Sequence, residues 1–241
     1  MPEPVVLIPG LQSDGTSWLA LFRHLARRYP LVVPMGHQYA TSIAEMGRRV
    51  LDQSPARFHL VGWSMGGYVA FEILRRCPER LLSLTLMATT AAPESDRVRV
   101  RREESLAMAR QQGVRTYQEV NLAQCFYDPD AVDRGLWDDV VNSAELLGLS
   151  ALESQTAAII ARRDSRPDLA GCRCPVLVTV GRDDAIIPPA HSREMHGLVP
   201  GAAYREIADC GHCPPLERPE ALSGILCDWF DGVEAKREGV L

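Results

Sequence analysis

The sequence has almost no lysine. Lys236 is the only one, and arginine supplies every other fixed cation. That bias reads as genomic rather than functional. An excess of positive charge is also missing: Lys and Arg number 26 against 31 Asp and Glu, a formal net charge of -5. Nothing in this balance points to a nucleic acid partner. No apolar run approaches the length of a membrane span. The N-terminus has no basic segment followed by an apolar one. The expectation is a cytoplasmic protein without membrane contact. Seven cysteines are an odd number, in a chain long enough to fold without staples. They are expected as free thiols in a reducing compartment. Repeats and low-complexity segments are absent. What remains is an ordinary globular composition of 241 residues, 46% hydrophobic and 24% charged. That suits one domain with a substantial core and room for an insertion.

One stretch organises the chain, Gly62-Trp63-Ser64-Met65-Gly66-Gly67. It fits the pattern G-x-S-x-G. The apolar run Phe58 to Val61 precedes it as a buried strand. Behind it, Val69, Ile73, Leu74 and Cys77 lie opposite Glu72, Arg75 and Arg76 at helical spacing. A serine on such a strand-to-helix turn presents its hydroxyl at the strand tip and faces the first helical N–H groups. The competing reading is a glycine-rich turn whose serine only caps the helix.

Around this stretch strands and helices alternate. Val5 to Ile8 is a strand, and Trp18, Leu19, Phe22 and Leu25 share one face of the helix after it. Leu31 to Val33, between Pro30 and Pro34, suits a sheet edge. Ser42 to Leu51 is a helix, and Leu82 to Leu86 a strand. From 93 to 168 the alternation stops, and four helical patterns run over 95–112, 114–124, 130–147 and 151–163. The alternation resumes with strands at 176–180 and 204–207 and helices at 189–198 and 217–230, and a frayed tail is expected from Asp231. This order predicts an α/β fold, a mostly parallel sheet of about six strands with helices on both faces. Residues 1–92 and 169–241 form its core, and 93–168 an inserted helical cap.

In such sheets ligands bind beyond the carboxyl ends of the strands. The unusual residues fall there. Ser64 needs a base, and the base needs an acid to orient it. His212, in the loop before the last helix, is the candidate base. The acid is expected in Gly181-Arg182-Asp183-Asp184, past the preceding strand. The chain order Ser, Asp, His is that of hydrolases with a nucleophile elbow. The N–H groups of Met65 and Leu11 are placed to stabilise an oxyanion. Cys210-Gly211-His212-Cys213 and Cys172-x-Cys174 also admit a zinc or redox reading. That motif belongs at a helix start after the first strand of a different topology, and a metal would take His212 away from Ser64. No metal or cofactor is therefore expected. His24, His37, His59, His191 and His196 are read as structural.

These residues resemble the α/β-hydrolase superfamily along nearly the whole chain, and most closely its lidded serine esterases, including the pimeloyl-ACP methyl ester esterases. The elbow at Ser64, the G-x-x-D-x-x-x-P stretch from Gly181 to Pro188 and the G-H-x-P-x-x-E-x-P stretch from Gly211 to Pro219 carry the resemblance. It implies that Asp184, not Asp183, is the acid. Pro9-Gly10 stands where the family usually has His-Gly, and two strands that usually begin the family's sheet have no counterpart. The implied activity is hydrolysis of a carboxylic ester or thioester with an apolar acyl group. Lactone opening, C–C hydrolysis, perhydrolysis and a receptor of small molecules with little turnover are the alternatives. Trp63, Ile186 and Ile187 are expected to contact substrate, and Phe126, Trp137 and Leu146 to shape an acyl tunnel. An acyl carrier protein, being acidic, could dock on Arg97, Arg99, Arg101 and Arg102, or on Arg162, Arg163 and Arg166. Partial pairing of the first group with Glu103 and Glu104 is the plainer reading.

Overall fold

Val5 and Leu7 point to one side of their strand, Val6 and Ile8 to the other, and all four are fully buried. A strand buried on both faces needs helices on both faces. The computed structural model, which describes residues 2–239, has that arrangement. Strands β1 (Val5–Ile8), β2 (Leu31–Val32), β3 (Phe58–Trp63), β4 (Leu81–Met87), β5 (Val176–Gly181) and β6 (Ala203–Ile207) form one sheet. Their order is β2-β1-β3-β4-β5-β6, and every pair is parallel. The two-residue β2 between its prolines is an edge, as expected. The chain winds outward from β1 to β2 and then from β3 to β6. The winding therefore reverses between β1 and β3, where a crevice opens at their carboxyl ends.

The core helices are α1 (Leu19–Leu25), α2 (Ile43–Gln53) and α3 (Met65–Arg76). The block between β4 and β5 holds α4 (Asp96–Gln112), α5 (Val114–Cys125), α6 (Arg134–Ile160) and the short α7 (Arg166–Ala170). After β5 come α8 (Pro189–Leu198), α9 (Pro214–Glu217) and α10 (Pro219–Arg237). Leu21, Leu25, Leu222, Leu226 and Phe230 cover the face of Val5 and Leu7, while Met46, Val69, Ile73 and Met195 cover that of Val6 and Ile8. Burying each of these large side chains contributes about 1.5–3 kcal/mol. No helix among the described residues is long and apolar enough to cross a membrane.

Four details differ from the sequence reading. Leu19 is half exposed, because the first turn after Asp14 is a 3-10 turn that rotates it outward. The third and fourth helical patterns are one long element broken at Gly148, where φ is 78°. That element starts at Arg134, with Asp133 as cap, and only a 3-10 turn spans Pro129–Ala131. The tail does not fray at Asp231. The Asp231 carboxylate accepts from Arg28 and Tyr29, and Glu234 accepts the Glu3 N–H at 3.0 Å, so α10 continues to Arg237.

Candidate active site

Ser64 sits between β3 and α3 with φ 53° and ψ -115°, a conformation that L residues rarely hold. The neighbouring chain forces it. A Cβ at Gly66 would overlap the carbonyl of Ile8, so only glycine lets α3 start this close to β1. Thr89 Oγ1 donates to the Ser64 carbonyl at 2.8 Å and fixes the turn. The Ser64 side chain makes no capping bond to α3. Its Oγ instead lies 2.8 Å from His212 Nε2. The other ring nitrogen, Nδ1, is 2.8 Å from Asp184 Oδ2. Asp184 Oδ1 accepts the N–H groups of Ile186 and Ile187, both at 2.9 Å. A buried carboxylate held on all sides keeps one orientation. Asp183 is exposed, and its N–H donates to the Cys210 carbonyl at 3.0 Å.

His212 is 5% exposed. Burial alone would pull its pKa down. The charge of Asp184 and its hydrogen bond outweigh that, and the pKa stands above the ordinary 6.5. An imidazole held between a hydroxyl and a carboxylate can take the hydroxyl proton, and the carboxylate stabilises the cation formed. The backbone N–H groups of Leu11 and Met65 border the same cavity as Ser64 and donate to no acceptor among the described residues.

Residues 5–225 match the model of the alpha/beta hydrolase family. The chain belongs to that family. Among relatives, the pimeloyl-[acyl-carrier protein] methyl ester esterase of Photobacterium profundum is 29% identical, over 94% of both chains. The dihydrolipoyllysine-residue acetyltransferase component of the acetoin cleaving system of Pseudomonas putida is 29% identical over 91% of this chain, which spans only 61% of that protein. A thermophilic esterase of Thermogutta terrifontis superimposes with a TM-score of 0.84 at 26% identity, over 96% of this chain and 90% of that one. This hydrolase thus has the fold expected from the strand and helix order.

Within this alpha/beta hydrolase the other expected site residues divide. Ile186 and Ile187 line the cavity of about 80 Å³ beside Ser64 and a larger one of about 300 Å³ that adjoins it. Trp63 borders the smaller cavity but is 4% exposed, and its Nε1 donates to the His212 carbonyl at 2.8 Å. The indole thus holds the base loop. The tunnel residues fall elsewhere: the Phe126 and Trp137 rings meet tilted at 5.9 Å within one apolar cluster, and Leu146 is 85% exposed. His191, read as structural, lines the larger cavity.

Two positioning groups went unread as site residues. Glu217 accepts the N–H of Tyr127 at 2.7 Å, of Gly211 at 3.0 Å and of Cys213 at 2.9 Å, tying the His212 loop to the end of α5. The His212 N–H itself donates to the Cys125 carbonyl at 2.7 Å. The E of the G-H-x-P-x-x-E-x-P stretch was the available signal for Glu217.

The arginines also differ from expectation. Arg102 pairs with Glu94, and Arg99 with Asp96; no ion pair joins Glu103 or Glu104 to them among the described residues. Arg97 and Arg101 are exposed and have no ion pair among the described residues. Of the rival cluster, Arg162 is buried on Glu94, Arg163 faces Asp168 at 3.8 Å, and Arg166 pairs with Asp164 and Glu194. Each arginine of that cluster faces an acid, which sets it apart from Arg97 and Arg101. All seven cysteines are unbonded.

Proposed function

We propose that the protein hydrolyses carboxylic esters through an acyl-enzyme on Ser64. The observation that carries this reading is the unbroken relay Ser64–His212–Asp184, with 2.8 Å at both links. His212 takes the Ser64 proton as Oγ attacks the ester carbonyl. The N–H groups of Leu11 and Met65 receive the oxyanion. His212 then protonates the leaving alcohol, activates a water, and the acid departs. A thioester follows the same course. Residues 93–168 act as the lid over a core formed by 1–92 and 169–241, and the acyl chain lies along Leu11, Tyr68, Ile186 and Ile187.

The test is labelling by a fluorophosphonate with an ester panel of graded chain length. Ser64 should be the labelled residue, and Ser64→Ala should lose about three to six orders of magnitude in kcat. Label on another residue would refute the assignment. Lactones and diketones in the same panel separate ring opening and C–C cleavage from ester hydrolysis. Stoichiometric binding without turnover would instead favour a receptor.

A carrier-bound ester is favoured by one feature. Arg97 and Arg101 stand exposed without acidic partners, and Arg101 borders the larger cavity. Charge reversal at both should lower activity only on a carrier-linked ester, and only at low salt. Unchanged activity there leaves a hydrolase of free small esters.

A further inference from the structure

The lid side of the Ser64 cavity sets polar side chains among the apolar Leu122 and Ile159. Arg102 from α4 and Asn121 from α5 line both the Ser64 cavity and its larger neighbour. Gln118, one turn before Asn121, lines the smaller one. Each has hydrogen-bonding capacity that no group of the protein takes up. Gln118 is 2% exposed and its Oε1 has no partner. The Asn121 amide makes no hydrogen bond among the described residues. Arg102 donates only through Nε, to Glu94 Oε2 at 3.1 Å, which leaves both terminal nitrogens of its guanidinium free.

The charges around Arg102 do not balance. Glu94 Oε2 also takes Nη1 of Arg162, and the side chains of Glu94 and Arg162 are 4% and 7% exposed. One buried carboxylate thus serves two guanidiniums. Among the described residues Glu94 is the only acid bordering either cavity, whereas Arg101 adds a further cation at the rim of the larger. The Arg102 side chain is only partly buried, and a cation that shares its carboxylate with another gains by pairing with an arriving anion. A guanidinium with two free terminal nitrogens matches the two oxygens of a carboxylate. The amides of Gln118 and Asn121 can each turn an NH2 to the same group.

We infer that Arg102, with Gln118 and Asn121, reads a carboxylate on the substrate, so that the preferred ester has a short apolar acyl chain ending in an anionic group. The inference rests on Ser64 as the nucleophile. It adds a specificity-determining residue on the lid, opposite the relay.

The experiment compares monomethyl esters of succinic, glutaric and adipic acids with neutral methyl esters of the same chain length. It uses the wild-type chain, Arg102→Gln and Arg102→Lys. The wild type should prefer the carboxylate-bearing series. Arg102→Gln should lower kcat/KM on that series about 30-fold or more, mainly through KM, and leave the neutral series nearly unchanged. Arg102→Lys keeps the charge without the fork and should fall between the two. Equal turnover of both series by the wild type would overturn the inference. So would an equal loss on both series in Arg102→Gln, since a merely structural role affects both alike.

A second readout needs no turnover. Glutarate should slow fluorophosphonate labelling of Ser64 in the wild type and not in Arg102→Gln, with the thermal transition of each confirming that it is folded. Labelling of Ser64 without glutarate protection overturns the carboxylate subsite alone. Failure of Ser64 to be labelled at all, in a folded wild-type chain, overturns the nucleophile assignment and the subsite with it.

Discussion

Gln155, fully buried in the long insertion helix, accepts the backbone N–H of Gln12 through its side-chain oxygen at 2.8 Å. Gln12 follows Leu11 and has φ 52°, so the turn after β1 is held in a conformation that few residues adopt unaided. The Gln12 amide donates back to the carbonyls of Ala144 and Gly148 at 2.9 and 3.0 Å, one turn before the break in α6 and at it. The long helix of the insertion thereby braces the turn that carries Leu11. This gives a role to the turn in which Pro9-Gly10 replaces the family's usual pair.

Gln155→Leu should therefore lower kcat about tenfold or more with KM nearly unchanged, because it loosens an oxyanion donor rather than a binding contact. Gln155→Met fills similar space, likewise lacks the accepting oxygen and should show the same loss. Steady-state kinetics of both variants decide. A loss confined to KM would place Gln155 in substrate binding instead.

The two aspartates after β5 should separate cleanly. Asp184→Asn removes the charge that stabilises the His212 cation and should cost about four orders of magnitude in kcat. Asp183→Asn alters an exposed side chain and should retain most activity. The reverse ranking would shift the acid by one position.

An imidazole acts as a base only when neutral, and the pKa of His212 is raised. Activity should accordingly rise with pH through a midpoint above 6.5. The sign for stability is the opposite. The raised pKa stabilises the folded state fully below the unfolded value, and that contribution is lost as pH rises through the folded pKa. In Asp184→Asn, burial acts without the opposing carboxylate, so the imidazole should titrate below 6.5. Histidine NMR titration of both proteins measures this, and an unmoved pKa would mean that Asp184 is not what raises it.

The thiols should fall into two classes. Burial raises the pKa of Cys210 and that of Cys213, so both should resist alkylation in the folded protein. Cys172 lies 3.4 Å from the sulfur of Cys174, which lowers its pKa to about 7, and it is partly exposed. A disulfide reagent at neutral pH should modify Cys172 first and leave ester hydrolysis intact. Rapid inactivation on modification of Cys213 would instead give the thiols beside His212 a functional part.

Local order in the sequence determined the frame. The run of β-forming residues into Gly62-Trp63-Ser64 and the helical spacing from Val69 need no distant partner to be read. The same is true of the proline pair around Leu31–Val32, which marked an edge. Chain order alone put the ends of β3, β5 and β6 on one rim of a parallel sheet, because strands joined by crossover helices run the same way. What the sequence did not determine is which face of each lid helix turns inward. In α4 and α5 apolar and charged residues are interleaved, and the inward face is chosen by the neighbours available. Glu94 turns Arg102 inward, while Leu146 meets no partner and stays in water. Contacts between residues far apart in the chain are equally silent in a linear reading. Gln155 meets Gln12, Glu217 meets Tyr127, and Asp231 meets Tyr29 only after the sheet has formed. Hydrogen bonds of this kind follow from three-dimensional placement and leave no period in the sequence, so only the tertiary structure assigns the polar groups that brace the site and face the substrate.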